Sequence, residues 1–162
     1  MRDMATVTRW RNDPELIKTL GAPFRYINPE TDQLWFENYM KNRGRAVRLA
    51  ICTEDDDSIL GLTSLLDIDP INQSCTFHIM VGQENQGKGA GTFGLHEIIR
   101  HGFLNLNLRR IELEVLESNS RGIHIYEKMG FVYEGRRRQA IYKQGRFQDM
   151  LIYSLLRDEF LA

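Results

Sequence analysis

The segment Val81-Gly82-Gln83-Glu84-Asn85-Gln86-Gly87-Lys88-Gly89-Ala90-Gly91-Thr92 constrains this chain more than any other. It is a glycine-rich turn between two segments of opposite periodicity. Cys75 to Val81 is rich in β-formers, whereas Leu95, Ile98, Ile99, Gly102, Phe103 and Leu106 recur at helical spacing, so the turn sits at a helix N-terminus. Unpaired N–H groups and the helix dipole both favour an anion there. Closely spaced glycines let the backbone approach a phosphate and reach the positive φ values that aim successive N–H groups at it. An anionic ligand is expected at this turn.

Spacing separates the nucleotide motifs that compete for these residues. Gly82-x-x-x-x-Gly87-Lys88 begins like a Walker A loop, but Gly89 stands where a magnesium-binding hydroxyl belongs. Gly89-Ala90-Gly91-Thr92-Phe93-Gly94 fits the dinucleotide pattern, with Glu112 downstream, yet the loop between Val81 and Gly89 is too long for that tight turn. The third motif is Gln86-x-x-Gly89-x-Gly91. About thirty residues on comes Leu113-Glu114-Val115-Leu116-Glu117-Ser118-Asn119-Ser120-Arg121-Gly122-Ile123-His124-Ile125-Tyr126-Glu127-Lys128-Met129-Gly130-Phe131. There a strand ends at a polar Asn, a short helix follows, and a Tyr precedes Lys-x-Gly-Phe.

Together the two motifs resemble the acetyl-CoA site of the GNAT N-acetyltransferases, over roughly Ile59 to Leu156. Trp10-Arg11-Asn12-Asp13-Pro14 and Gly145-Arg146-Phe147-x-Asp149 are similar to the branch holding ribosomal-protein N-terminal acetyltransferases and spermidine acetyltransferases. The resemblance implies a three-layer α/β/α fold with a mixed, splayed, mostly antiparallel sheet and acetyl-CoA lying in the splay. It implies direct acetyl transfer to a primary amine: a peptide N-terminus, a polyamine or an amino sugar. The other reading is an acyl-CoA-binding or regulatory module without catalysis.

By the same resemblance, the amides of Gly87, Lys88, Gly89, Ala90 and Gly91 hold the pyrophosphate, assisted by Gln86 and the Lys88 side chain. The strand edge at Met80 and Val81 pairs with the pantetheine arm. Asn119 hydrogen-bonds the cofactor or caps the following helix, and the two roles are compatible. Tyr126 is expected to be the general acid for the departing thiolate, with packing on the helix's core face as its alternative. The base stays open among His78, Glu84, Glu112, Glu114 and a water chain. His78 shares a strand face with Thr76, and its intrinsic pKa suits an ammonium proton. The acceptor should meet Phe24, Arg25, Tyr26, Trp35 and the Tyr142 to Phe147 turn.

Composition agrees with one ordinary core. The chain has 162 residues with 42% hydrophobic content, and 21 Lys plus Arg face 22 Asp plus Glu, so nothing points to nucleic acid or a membrane surface. Cys52 and Cys75 read as reduced core thiols, and the absence of a signal-like start predicts a cytoplasmic protein. His96-Glu97-Ile98-Ile99-Arg100 lacks the second histidine of a zinc helix, so no metal is expected.

Residue patterns alone predict an α+β fold in a single domain over residues 1–162. Asp3 caps a helix carrying Ala5, Val7 and Trp10; Asp13-Pro14 opens a short one. Thr31 or Asp32 caps a third, whose core stripe is Leu34, Trp35, Tyr39 and Met40. Strands are expected at 46–53, 59–68, 74–81, 111–116, 131–142 and 147–156, with Glu54 to Ser58 and Lys143 to Arg146 as hairpin turns. The Arg136-Arg137-Arg138 run reads as a solvated edge. The family's usual first edge strand is not apparent, so strand 46–53 is left open and predicts a homodimer.

Overall fold

The structure, a computed structural model, describes residues 3–41 and 43–161. In chain order it contains α1 (Met4–Arg11), α2 (Pro14–Ile17), α3 (Pro29–Lys41), β1 (Val47–Cys52), β2 (Ile59–Asp69), β3 (Ser74–Val81), α4 (Ala90–Asn105), β4 (Arg110–Leu116), α5 (Ser120–Lys128), β5 (Val132–Lys143), β6 (Arg146–Leu156) and α6 (Arg157–Leu161). The strands form one sheet in the order β1-β2-β3-β4-β6-β5. All neighbours run antiparallel except β3 and β4.

That parallel pair is where the sheet opens. It is joined only at Ser74↔Arg110, Cys75↔Ile111 and Thr76↔Glu112. Beyond those residues β3 stays paired with β2 as far as Val81, and β4 stays paired with β6 as far as Leu116. Each half keeps its own partner, so the gap widens between them and leaves one edge of β3 without a strand beyond Thr76.

Alternation along the strands builds two faces. Cys75 and Phe77 of β3 and Ile111, Leu113 and Val115 of β4 are buried with Leu95, Ile98, Ile99 and Phe103 of α4. Leu65, Ile98, Ile99, Ile111 and Leu155 have no accessible surface, and each such side chain contributes about 1.5–3 kcal/mol of burial. Thr76 and His78 point the other way, toward α1–α3, which completes the three-layer arrangement.

Two expectations need correction. The third helix starts at Pro29, and the Asn28 carboxamide rather than Thr31 or Asp32 caps it, accepting from the Thr31 amide at 2.9 Å. Asp32 is instead buried, because Thr8 Oγ1 and the Arg11 guanidinium both donate to its carboxylate. The stripe on that helix is also narrower than expected: Leu34 is 60% and Met40 48% exposed. Trp35 and Tyr39 face inward because the Arg48 guanidinium stacks over both rings, at 4.9 and 5.5 Å.

The late hairpin turns at Gln144 and Gly145, both at positive φ, so Lys143 belongs to the strand. Arg136 and Arg137 lie on the exposed β5 edge and are paired with carboxylates, Arg136 with Glu117 and Asp149, Arg137 with Glu114. No helix among the described residues is long and apolar enough to cross a membrane. Among those residues no cluster of three or more His, Cys, Asp or Glu could hold a metal.

Candidate active site

Two cavities meet in the gap between β3 and β4. The larger, about 520 Å³, lies on the α1–α3 side and is walled by Arg11, Trp35, Arg48, His78 and Glu114. The smaller, about 230 Å³, lies beside the glycine turn and α5. Thr19, Leu20, Ile79, Asn119 and Tyr126 line both.

The glycine turn has the geometry an anion needs. Gly87 and Gly89 sit at φ +81° and +88°, and a Cβ on Gly89 would meet no atom within 4 Å, so the backbone faces open space there. The first bond of α4 runs from the Phe93 amide to the Gly89 carbonyl at 3.0 Å. Ahead of it, the amides of Ala90, Gly91 and Thr92 have no acceptor within the helix. Trp10 Nε1 braces the approach to the turn by donating to Glu84 at 3.1 Å.

The expected cofactor residues divide among three places. Val81, Gln86, Gly87, Gly89, Gly91 and Asn119 line the smaller cavity, and Met80 lines the larger one. Lys88 and Ala90 line a separate depression with Ile51, Cys52 and Phe93. Gln86 Nε2 donates to the Val81 carbonyl at 3.3 Å and so closes the turn. The cation beside the smaller cavity is Arg121, whose Nη2 would lie 3.5 Å from a Cβ on Gly87. Sequence reading passed over it, although it follows Asn119 by two residues in the same motif.

Asn119 is the N-cap of α5: its Oδ1 accepts from the Gly122 amide at 2.9 Å. Its Nδ2 donates to the Thr19 carbonyl at 3.1 Å, tying α5 to the loop after α2. One N–H and one lone pair of the carboxamide remain for a ligand. The same loop is held from the other side by Lys143, which is 5% exposed. Its Nζ donates to the carbonyls of Ile17 and Ala22 at 2.6 and 2.8 Å and also to that of Leu20. Ile17 and Thr19 to Ala22 line the larger cavity, so the ammonium shapes that wall without reaching into it.

Tyr126 packs edge-on against Phe77 and Phe131, with ring centroids 6.2 and 6.0 Å away. Burial pushes its phenol up to about 12, so it stays protonated throughout the neutral range. Its ring joins the core fringe, as the packing reading expects, and it also lines both cavities.

The base candidates separate clearly. Glu84 is engaged by Arg9 and Trp10, and Glu112 by Arg110 at 3.1 Å. Glu114 reaches the cavity but is paired with Arg137 at 2.5 Å. His78 faces the cavity, and its pKa falls below 6.5 through desolvation by the cleft walls and then through the Arg48 charge, against weaker opposing fields from Asp67 and Glu114. It is neutral at pH 7 and able to take a proton.

Of the residues expected to meet the acceptor, only Trp35 lines the cavity. Phe24 and Tyr26 stack on each other at 5.1 Å with Tyr26 89% exposed, and Tyr142 and Phe147 pair at 5.2 Å on the outer hairpin. Arg11, Arg48 and the α2 loop line it instead. Arg48 comes to the site by register, since β1 and β2 align Arg48↔Ser64 and β2 and β3 align Ser64↔His78.

The sheet is split at one parallel pair, with a glycine turn at a helix N-terminus on one side, a cavity lined by His78 on the other and Tyr126 on both, an arrangement with room for two substrates. The acetyltransferase (GNAT) domain model matches residues 1–132, and the chain belongs to that family. It is an N-acetyltransferase that uses acetyl-CoA as co-substrate. The chain is 30% identical over 132 residues to the spermidine N(1)-acetyltransferase of Vibrio cholerae, covering 82% of this chain and 75% of that protein. It is 28% identical over 161 residues to N-acetyltransferase p20 of Bacillus licheniformis, covering 99% and 90%. The crystal structure of the Vibrio cholerae spermidine N-acetyltransferase in complex with CoA and spermine superposes with a TM-score of 0.92, over 99% of this chain and 94% of that one. At 23% identity that likeness bears on the fold.

Proposed function

We propose that residues 1–162 act as one domain that moves the acetyl group of acetyl-CoA through the β3–β4 gap to a primary amine held on the far side. The placement of Tyr126 on both cavities carries this reading. The pyrophosphate is held by the amides of Gly87 to Gly91 with Arg121 beside them, and the Lys88 side chain adds longer-range charge. The pantetheine arm pairs with the β3 edge at Met80 and Val81, and Asn119 offers its remaining N–H. His78 takes a proton from the incoming ammonium, the freed amine nitrogen attacks the thioester carbonyl, the C–S bond breaks as Tyr126 gives its proton to the sulfur, and the second proton that nitrogen sheds on becoming an amide returns to Tyr126. Polyamines, peptide N-termini and amino sugars share the amine this requires.

Calorimetric titration tests the first half of the reading. Saturable one-site binding of acetyl-CoA and CoA, with ATP and NAD binding much more weakly, supports it; no binding of either CoA species rejects it. The His78 role has a separate signature. Activity needs the neutral imidazole, so kcat/KM of the wild type should fall as pH drops through a pKa below 6.5. His78→Gln should lower kcat at least about tenfold and remove that acidic limb. An unchanged pH profile in the variant would exclude His78 as the base.

Self-association through β1 is part of the same proposal. Its outer edge has no neighbouring strand among the described residues, and Leu49 on it is 42% exposed. Light scattering should give a mass at least twice that of one chain, and a single-chain mass at micromolar concentration would contradict the pairing.

A further inference from the structure

We propose that the acceptor is a primary amine that also carries a carboxylate or phosphate, and that Arg48 is the residue that recognises that anion. The inference rests on the transferase reading above and concerns only which amine the larger cavity takes. Its basis is the balance of charge on the cavity wall. Arg11 is neutralised by the buried carboxylate of Asp32, and Glu114 by Arg137. Among the described residues Arg48 has no carboxylate partner; Asp67 acts on it only through its field and does not line the cavity.

The geometry of Arg48 adds to this. Its Nε is buried without a hydrogen-bond partner, and its Nη1 reaches Ser64 Oγ only at 3.5 Å. The guanidinium is thus left short of hydrogen-bond acceptors, and a ligand oxygen at its Nη groups would supply one. Stacking on Trp35 and Tyr39 fixes the guanidinium plane, so its N–H groups are presented as a ready-made fork for a planar or tetrahedral oxyanion. His78 lies two strands away in register, roughly 10 Å between Cα atoms. A compact molecule can therefore set its anion on Arg48 and its amine toward His78 and Tyr126. A polyamine would bring several positive charges to a wall whose lining carboxylate is already paired.

The experiment compares initial rates on matched acceptors that differ only in the anion: an amino acid against its carboxamide, and an amino sugar against its 6-phosphate, with spermidine alongside. The anionic member of at least one pair should have a kcat/KM at least about tenfold higher, chiefly through KM, and which pair responds separates carboxylate from phosphate. Arg48→Gln should bring that member down to its neutral counterpart. Arg48→Lys, which keeps the charge and loses the fork, should retain part of the preference and guards against a variant that merely folds poorly. Equal or better use of spermidine or the neutral members, or a preference that survives Arg48→Gln, overturns the proposal. If no amine is acetylated, the transferase reading fails first. Binding of the N-acetylated amino acid and the N-acetylated sugar phosphate to CoA-saturated wild type and Arg48→Gln then decides the Arg48 claim: tighter binding of either by the wild type upholds it, and equal binding of both rejects it.

Discussion

Tyr126→Phe should lower kcat by about 10²-fold or more while leaving the affinity for acetyl-CoA within about twofold of the wild type, because a general acid of this kind contributes about 10²–10⁴-fold. The ring remains, so the edge contacts to Phe77 and Phe131 and the core fringe around Ile123 and Met129 are preserved. Only the hydroxyl is lost. With the phenol pushed up to about 12, the wild type should show no alkaline loss of activity from this group up to pH 10. Steady-state rates together with a calorimetric Kd separate the roles. Unchanged kcat would remove the acid role and leave Tyr126 as packing.

Lys143→Met should be the most destabilising of the substitutions considered. It leaves three carbonyls, of Ile17, Leu20 and Ala22, without the ammonium that now satisfies them. The side chain is 5% exposed, so water replaces it poorly, and the expected cost is about 3 kcal/mol, a fall in Tm of roughly 10 °C for a chain of this size. Because Ile17 and Thr19 to Ala22 line the larger cavity, and Thr19 and Leu20 line both, KM for both substrates should rise as the loop loosens. Lys143→Arg, which keeps donors in place, should recover part of both effects. A thermal scan with an unchanged midpoint would show that the three bonds contribute nothing net.

Where the governing interactions are local, the chain could be read directly. Strand 74–81 was bounded correctly because turn residues Asn72-Gln73 and Gly82 flank an apolar run. The glycine turn was legible because positive φ demands glycine at Gly87 and Gly89 wherever the chain folds. Asn119 was legible as a cap for the same local reason. What escaped was set by distant partners. Lys143 looks like a turn residue until the α2 loop, 126 residues earlier for Ile17, wraps its ammonium. Asp32 looks like a helix cap until α1 brings Arg11 and Thr8 to it.

The wall of the larger cavity was hidden by the same physics. Arg48, Ser64 and His78 are spaced by 16 and 14 positions and become neighbours only through strand register, which no local pattern in any one strand reveals. Aromatics near the first helices were the more visible signal, yet apart from Trp35 they face solvent or one another. Leu34 and Met40 were misplaced because an apolar stripe on a helix says which residues share a face and not whether anything covers it.

Amine-dependent release of the CoA thiol from acetyl-CoA, followed with a thiol reagent while the N-acetyl product is measured by mass, tests the central claim most directly. Transfer through the β3–β4 gap predicts thiol and N-acetyl product in equal amounts, saturating in both substrates and strongly reduced in Tyr126→Phe. Thiol release that ignores the amine, or no release across amino acids, amino sugars, peptides and polyamines despite tight acetyl-CoA binding, would contradict it.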